Sequence, residues 1–387
     1  MLTKNIEFKN FIKSKKYNSI ERFLKNIKKK IFEKSDPFLF SLTSKYKNLF
    51  DENSIKRLKK YKNYTLIGIG GSSLGAKAIY SFLNNNIKKK FNFVDNIKFN
   101  KIPSNKKKNL NIIISKSGNT LETITNFNTL GNHKDCIFLT ENKENYLREI
   151  ASEMKKEIFK HQDYIGGRYS VLSETGMLPA CLMGLDIKKF KRLDFLINDK
   201  NFVNQLILNV NGILNLYNNK KTNSIILNYD ENSNDLFLWY QQLVAESLGK
   251  KSKGILPVIS LMPKDNHSLM QLYLDGPKKS FFTFFNFFEK QSIKLDSKHI
   301  LQSHNYLKKK NVSEILLSQK LATERVFKNK NIPFRSFEIK KRDEKTLGEL
   351  FCFFILETIL ISKALKVNPF DQPAVELIKK ETKKILI

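Results

Sequence analysis

The sequence predicts an α/β protein built from two doubly wound, parallel-sheet domains in tandem, with helical additions at both ends. Short apolar runs alternate with amphipathic stretches, a rhythm typical of strands and crossover helices. The rhythm occurs twice, before and after a Lys-rich helical stretch at about 175–220. The 387 residues are enough for two cores, and 41% apolar residues, including 31 Phe, exclude a disordered chain.

Four segments are predicted along the chain. Residues 1–50 form an N-terminal helical segment, which is clearest at 20–32. The first domain is predicted at 51–200, with strands at 65–69, 111–115, 136–140 and 157–160. The second is predicted at 201–366, with strands at 224–229, 255–260, 280–287 and 333–339 and long helices at 235–248, 314–327 and 344–365. Residues 367–387 are predicted to form a helix that packs back on the active site.

The formal net charge of +32 is the most extreme feature of the composition. Such a charge would suit a protein that binds nucleic acid or a membrane surface. Only eight of the 69 basic residues are arginine, however, and Lys, Asn, Ile and Phe are enriched together along the whole chain. We interpret the charge as a solvated lysine coat and predict neither nucleic acid nor membrane as a partner. A basic nucleic-acid-binding protein is the alternative, and it predicts salt-dependent binding.

The cysteine content and the apolar runs indicate the compartment. Three cysteines without a CxxC motif argue for a reducing compartment and against a disulfide or zinc framework. The first residues lack the apolar core of a signal peptide, and the unbroken apolar run at 350–356 is far shorter than the roughly 20 residues of a membrane span. We therefore expect a cytoplasmic protein.

Two glycine-containing loops follow predicted strands, at the edge where open parallel sheets bind ligands. The first, residues 68–75 (GIGGSSLG), matches neither the dinucleotide GxGxxG nor the P-loop, because Ser73 and Ala76 replace the required glycine and lysine. The second, residues 115–120 (SKSGNT), offers three hydroxyls, one lysine and a helix N-terminus, which suits a phosphate monoester. The ordinary alternative for both loops is a tight turn with a purely structural role.

Glu246 falls on an apolar stripe of a predicted helix. It continues the stripe of Leu236, Trp239 and Leu243 and lies in the last turn, where the helix dipole disfavours a negative charge. Both features are typical of a general base. The alternative is an exposed ion pair with Lys250.

Three basic residues also have unusual positions in the sequence. Lys379 lies at the centre of a stripe on the last helix, where it would be desolvated unless its stem extends to the edge of the core. His267 is predicted to open a helix, which favours a neutral imidazole that can exchange a proton, although a lone histidine is often structural. Arg168 follows two glycines, so it either stabilises an oxyanion beside a ligand or forms an ordinary surface pair.

Taken together, six segments resemble the phosphoglucose isomerase family. They occur in the family's order, from about residue 65 to the C-terminus: residues 68–75 (GIGGSSLG), 114–123 (ISKSGNTLET), 166–179 (GGRYSVLSETGMLP), 242–250 (QLVAESLGK), 266–277 (NHSLMQLYLDGP) and 370–379 (FDQPAVELIK). Two positions depart from the family pattern, Asn119 in the phosphate loop and Ile378 before the last lysine.

The resemblance implies two sugar isomerase (SIS) subdomains and interconversion of glucose 6-phosphate and fructose 6-phosphate through an enediolate, a step of glycolysis and gluconeogenesis. No metal or organic cofactor is implied. Glu246 would move a proton between C1 and C2, Arg168 would stabilise the enediolate, and His267 would help to open the sugar ring, with Lys379 near the same oxygens. The implied phosphate-binding residues are Ser72, Ser115, Lys116, Ser117 and Thr120, and the implied sugar-lining residues are Gly71, Gln242 and Gln372.

In this family the counterpart of His267 comes from a second subunit, which implies a homodimer. Two alternatives stay open. One is another isomerase of the same domain family, which also accepts mannose 6-phosphate, and the other is a sugar-phosphate-binding module without catalysis.

Overall fold

The structure is a computed structural model that describes residues 1–13, 15–100, 109–289 and 292–387. Its strands are β1 (Ile6–Asn10), β2 (Asn63–Ile67), β3 (Lys90–Val94), β4 (Asn109–Ile114), β5 (Cys136–Glu141), β6 (Ile158–His161), β7 (Asn223–Asn228), β8 (Leu256–Leu261), β9 (Ser280–Phe287) and β10 (Phe334–Ile339).

The helices alternate with these strands. They are α1 (Asn18–Phe32), α2 (Pro37–Ser41), α3 (Glu52–Leu58), α4 (Leu74–Phe82), α5 (Leu121–Asn128), α6 (Tyr146–Glu153), α7 (Glu174–Met183), α8 (Leu193–Leu196), α9 (Lys200–Asn218), α10 (Asn234–Leu248), α11 (Met270–Asp275), α12 (Val312–Asn329), α13 (Glu344–Ala364) and α14 (Pro373–Leu386). Short 3₁₀ turns, including Gly70–Ser72 and Gly167–Leu172, complete the loops that matter below.

Two five-stranded sheets confirm the predicted fold class. The first has the strand order β3-β2-β4-β5-β6 and is parallel throughout. The second has the order β1-β10-β9-β7-β8 and is parallel except for β1, which pairs antiparallel with β10. In the first sheet the chain leaves β2 for β3 on one side and returns to β4 on the other. Loops diverge at such a switch point and leave a crevice for a ligand.

Two strands were not expected from the sequence. β1 lies in the segment predicted to be wholly helical and joins the second sheet instead, with Ile6 and Phe8 buried and the residues beside them less so. β3 is an edge strand in which buried Phe91 and Val94 flank exposed Asn92. Both strands are short and only half apolar, so they lack the continuous apolar run that marks a central parallel strand.

The core is shared by the two halves of the chain. One cluster of buried side chains includes Leu66 and Ile112 of the first sheet and Ile226 and Phe285 of the second. α10 packs against α4 of the first half and α13 of the second, and α13 is buried from Thr346 to Ser362. Within the described ranges, no helix has both the length and the apolar character that crossing a membrane requires.

The C-terminal helix corrects a prediction. None of the residues of α14 is buried, so in the single chain it does not pack back on the rest of the molecule. Lys379 is exposed, and its ammonium pairs with Glu376 at 2.7 Å, so the expected desolvation of its stripe does not occur. Val375 and Leu386 of the same stripe are exposed as well.

Candidate active site

Four segments meet at one end of the first sheet. The loop after β2 approaches the turn Gly167–Leu172 closely, because a Cβ added to Gly71 would lie 2.2 Å from the carbonyl carbon of Gly167. Ser170 Oγ also donates to the Gly71 carbonyl at 3.2 Å. Any side chain at Gly71 would separate these two backbone segments, so the glycine is required by the contact.

Arg168 lies at the centre of this junction. Its side chain is 2% exposed, and it is held by the C-terminal half of α10 and by residues 368–372, which we call the strap. A buried guanidinium needs an opposite charge and a complete set of acceptors to be stable there. The prediction of an ordinary surface pair for Arg168 is thereby excluded.

Glu246 supplies that opposite charge. Arg168 Nη1 donates to Glu246 Oε2 at 2.9 Å, and Gln242 Nε2 donates to Glu246 Oε1 at 2.8 Å. The stripe of Leu236, Trp239 and Leu243 is buried, as predicted, and the carboxylate lies one turn further along α10, with its side chain 27% exposed. The carboxylate is thus held on both oxygens, with part of its surface accessible.

Lys250, the alternative partner predicted for Glu246, forms a different ion pair. Lys250 pairs with Asp371 at 2.8 Å and also donates to the Asn368 carbonyl, so it anchors the strap instead. The strap in turn brings Gln372 to Arg168, whose Nη1 donates to Gln372 Oε1 at 2.6 Å. Gln242 and Gln372, both predicted to line the sugar, therefore flank the Arg168–Glu246 pair.

The predicted phosphate loop follows β4, next to the loop after β2. Ser115 Oγ and Thr120 Oγ1 lie 2.8 Å apart, and Ser117 Oγ accepts from the Asn119 amide at 3.3 Å. The two loops touch through Gly68, where an added Cβ would lie 2.9 Å from the Ile114 carbonyl oxygen and 3.0 Å from Ser72 Cβ. The structure thus brings Ser72 next to the end of β4, which Ser115 directly follows.

The loop is braced by its neighbour after β5. Gly118 has φ +67° and packs so tightly on Asn145 that a Cβ would lie 1.7 Å from its Oδ1. Asn119 Oδ1 accepts from the Tyr146 amide at 2.9 Å, which gives this departure from the family pattern a role at the start of α6. The ammonium of Lys116 lies 3.2 Å from Glu141 Oε1 and donates to the Asp163 carbonyl at 2.8 Å, so two protein oxygens already occupy it.

His267 and Lys379 are not brought to the Arg168–Glu246 pair. His267 is exposed and ends the 3₁₀ turn Lys264–His267 after the edge strand β8, three residues before α11 begins. The prediction that it opens a helix is therefore wrong, because the backbone first completes a separate turn at Ser268 and Leu269. Lys379, on the exposed α14, pairs with Glu376 and makes none of the contacts of this site that the structure describes.

The structure adds residues that the sequence pattern did not single out. Ser247 is fully buried beside Glu246 and accepts from Arg168 Nε at 2.9 Å, while its Oγ lies 2.9 Å from the Tyr169 hydroxyl. Burial raises the pKa of Tyr169 to about 12, so its hydroxyl stays protonated at neutral pH. Adjacency in sequence to Glu246 and Arg168 was the only signal that pointed to these two hydroxyls.

Similarity to known proteins points to one family. The family model for phosphoglucose isomerase matches residues 51–256. The chain is 32% identical to a probable glucose-6-phosphate isomerase of Methanococcus maripaludis, over 94% of this chain and 87% of that protein. It is 34% identical to a glucose-6-phosphate isomerase of Methanocaldococcus jannaschii, over 86% of each chain. Its fold is similar to the crystal structure of a glucose-6-phosphate isomerase from Chlamydia trachomatis, with a TM-score of 0.75 and 18% identity over 99% of this chain and 89% of that one.

A carboxylate held by a buried guanidinium at the switch point of a parallel sheet suits an enzyme that moves protons on a sugar phosphate, and the relatives place this enzyme among the isomerases. More narrowly, the chain belongs to the phosphoglucose isomerase family.

Proposed function

We propose that this isomerase interconverts glucose 6-phosphate and fructose 6-phosphate through an enediolate, as a cytoplasmic step of glycolysis and gluconeogenesis. One observation carries the proposal: the carboxylate of Glu246 is held by Arg168 and Gln242 while part of its surface stays accessible. A base fixed on both oxygens has the orientation that proton abstraction next to a carbonyl needs.

The proton transfer is assigned to Glu246. Starting from the open-chain aldose, the carboxylate takes the proton from C2, and the C–H electron pair forms the C1–C2 double bond as the carbonyl oxygen O1 becomes negative. The same proton is returned to C1, and the proton on O2 passes to O1, so that the ketose forms without a net change in atoms. Arg168 Nη1, which donates to Glu246, is the group that meets the negative oxygen.

The phosphate is assigned to the two loops at the switch point. Hydroxyls of Ser72, Ser115, Ser117 and Thr120 donate to its oxygens, together with the backbone amides at the start of α5 and the charge of Lys116. Gly71 allows the backbone to approach the ligand, and Gln242 and Gln372 contact the sugar between phosphate and base. A dianionic ligand is thereby separated from Glu246 by the length of the sugar.

Ring opening requires a further group that exchanges a proton with the sugar, and in the described part of the chain none of the contacts of the Arg168–Glu246 pair comes from a histidine. We propose that His267 of the partner subunit in a homodimer supplies it, and that Lys379 approaches the same oxygens when α14 finds a surface to pack on. Two observations support the dimer: His267 is exposed after an edge strand, and α14 carries exposed apolar side chains such as Leu377 and Ile378.

A coupled assay tests the reaction. The purified chain at millimolar fructose 6-phosphate should form glucose 6-phosphate, and absence of turnover would refute the proposal. A substrate panel that includes mannose 6-phosphate distinguishes this enzyme from an isomerase that also accepts that sugar phosphate.

The variant Glu246→Gln tests the assignment of the base. It should remove turnover and leave substrate binding unchanged. Near-wild-type kcat in Glu246→Gln would contradict the assignment of the base.

The shared site can be tested by mixing two inactive variants. Glu246→Gln and His267→Ala are unfolded and refolded together, so that half of the dimers at random are mixed. Each mixed dimer then contains one site with both changes and one site with neither, and about a quarter of wild-type activity should return. If every site used its own His267, mixing would restore nothing.

A further inference from the structure

The five N–H groups of Arg168 all have acceptors. Nε donates to Ser247 Oγ at 2.9 Å. Nη1 donates to Glu246 Oε2 at 2.9 Å and to Gln372 Oε1 at 2.6 Å. Nη2 donates to the carbonyl oxygens of Pro369 and Asp371 at 2.6 and 2.8 Å. A guanidinium has five N–H groups, so no donor is free for a substrate unless one acceptor is released.

The acceptors differ in how readily they can be released. Two on Nη2 are backbone carbonyls of the strap, which Lys250 anchors independently through Asp371 and Asn368. The acceptor on Nε is the hydroxyl of Ser247, which is fully buried. Only the two acceptors on Nη1 are carried by side chains that face the accessible part of the site. The Nη1 edge is therefore the edge that can exchange a protein oxygen for a substrate oxygen.

A closed ring of hydrogen bonds fixes the other edge. Arg168 Nε donates to Ser247 Oγ, which lies 2.9 Å from the Tyr169 hydroxyl. The Tyr169 hydroxyl donates to the Pro369 carbonyl at 3.3 Å, and the same carbonyl accepts from Arg168 Nη2. Because Ser247 Oγ already accepts from Arg168, its own proton is available for Tyr169. Donation therefore runs from Arg168 through Ser247 and Tyr169 to the Pro369 carbonyl, where it meets the direct hydrogen bond from Arg168 Nη2. Such chains of hydrogen bonds reinforce one another.

We propose that Ser247 and Tyr169 are positioning residues, which lock the rotation of the Arg168 guanidinium so that its Nη1 edge alone meets the oxyanion formed beside Glu246. The inference rests on the proposed role of Arg168 in the isomerase reaction. Neither hydroxyl reaches the substrate. Both act on a donor whose direction has to match the developing negative oxygen closely.

The variants Tyr169→Phe and Ser247→Ala open the ring at different points. We expect each to lower kcat about tenfold and to change KM less than twofold, since the misdirected donor affects the transition state more than the ground state. Affinity for a phosphorylated hydroxamate, which carries the charge of an enediolate, should fall by a similar factor. Affinity for an open-chain 6-phosphosugar alcohol, which carries no such charge, should not change. The double variant should lose no more than the worse single variant, because both act through one ring.

Tyr64→Phe is the matched control. The Tyr64 hydroxyl is also buried, but it donates to the carbonyls of Leu58 and Tyr61, away from the site. This variant should lose stability and keep wild-type kcat. Folded Tyr169→Phe and Ser247→Ala that keep wild-type kcat, or that weaken both ligands equally, would overturn the inference. Failure of the proposed function has a different signature, since the wild-type chain would then not turn over sugar phosphate.

Discussion

The guanidinium of Arg168 and the carboxylate of Glu246 lie 2.9 Å apart, and Arg168 is 2% exposed. This pair joins the two halves of the chain, because Arg168 follows the first sheet and Glu246 lies on a helix of the second half. The guanidinium is fixed by its buried contacts, while the carboxylate keeps part of its surface accessible.

Arg168→Lys keeps the positive charge, but it should still lower both kcat and stability. An ammonium has three donors at a single nitrogen, so it cannot satisfy the five acceptors that surround the Arg168 guanidinium. We expect kcat to fall at least 100-fold, the scale for loss of one preorganised oxyanion donor. Steady-state kinetics measures this effect, and urea unfolding should show a stability loss of about 2 kcal/mol from the unpaired buried acceptors.

Arg57→Lys is the control for this substitution. Arg57 is an exposed arginine that pairs with Glu157, and surface pairs contribute about 0–1 kcal/mol. Its kcat and unfolding midpoint should stay at the wild-type values. An Arg168→Lys enzyme with the same kcat as Arg57→Lys would show that the fork of the guanidinium is not needed.

Gly118→Ala should act on substrate binding. The new Cβ would lie 1.7 Å from Asn145 Oδ1 at a positive φ, so the loop of Ser117 and Asn119 has to shift. We expect KM for the sugar phosphate to rise at least tenfold and kcat to change less. Gly184→Ala provides the comparison, since its φ is +93° but nothing lies within 4 Å of the added Cβ. That variant should lose about 1 kcal/mol of stability and keep its KM.

Much of the fold follows from the sequence because central parallel strands are continuous apolar runs. β9 was predicted at its observed bounds, and β5 and β10 within one residue. β1 escaped prediction because its partner, β10, is more than 320 residues away in the chain, and an isolated alternation of two apolar residues does not reveal such a pairing.

Part of the site was predictable because it too depends on a local sequence pattern. Glu246 broke a helical stripe, a local pattern that the sequence displays. Arg168, by contrast, was ambiguous, since its burial depends on the strap, about 200 residues further along. The chain has only eight arginines, and it places Arg335 and Arg342 as well as Arg168 in buried or nearly buried pairs. In these three pairs the planar fork of arginine is used, whereas Arg57 forms an exposed pair, so an arginine in a lysine-rich sequence does not by itself identify such a site.

Arg335 and Glu357 provide a test of stability without catalysis. The pair is buried, and Arg335 also donates to Thr283 Oγ1 and Asn209 Oδ1, each at 2.9 Å. Glu357→Gln leaves an unpaired buried charge, so the free energy of unfolding should fall by about 3 kcal/mol. Glu381→Gln, which breaks an exposed pair with Lys384, should change it by less than about 1 kcal/mol. Both folded variants should keep wild-type kcat, and a loss confined to Glu357→Gln would mean that this network reaches the site.

Lys191 should make stability depend on pH. Burial lowers its pKa to about 7, partly offset by Glu174, although the ammonium donates to the Ser41 carbonyl at 3.2 Å and lies 3.9 Å from the centre of the Tyr46 ring. The unfolded chain has the ordinary lysine pKa near 10.4. Between these values the unfolded state binds more protons, so the contribution of Lys191 to the free energy of unfolding rises with pH from about 7 to 10 and is constant below 7.

Lys191→Met removes this dependence. We compare the free energy of unfolding of the variant with that of wild type at each pH. This difference should favour the variant by about 3 kcal/mol more at pH 6.5 than at pH 9.5, since each pKa unit corresponds to roughly 1.4 kcal/mol. Urea unfolding at the two pH values measures the difference. Lys188→Met loses the same charge at an exposed position nearby, so it accounts for any effect of net charge alone. Equal pH profiles for the two variants would mean that Lys191 keeps its proton in the folded protein. The charge of Glu174 would then have to offset the whole effect of burial on the pKa of Lys191.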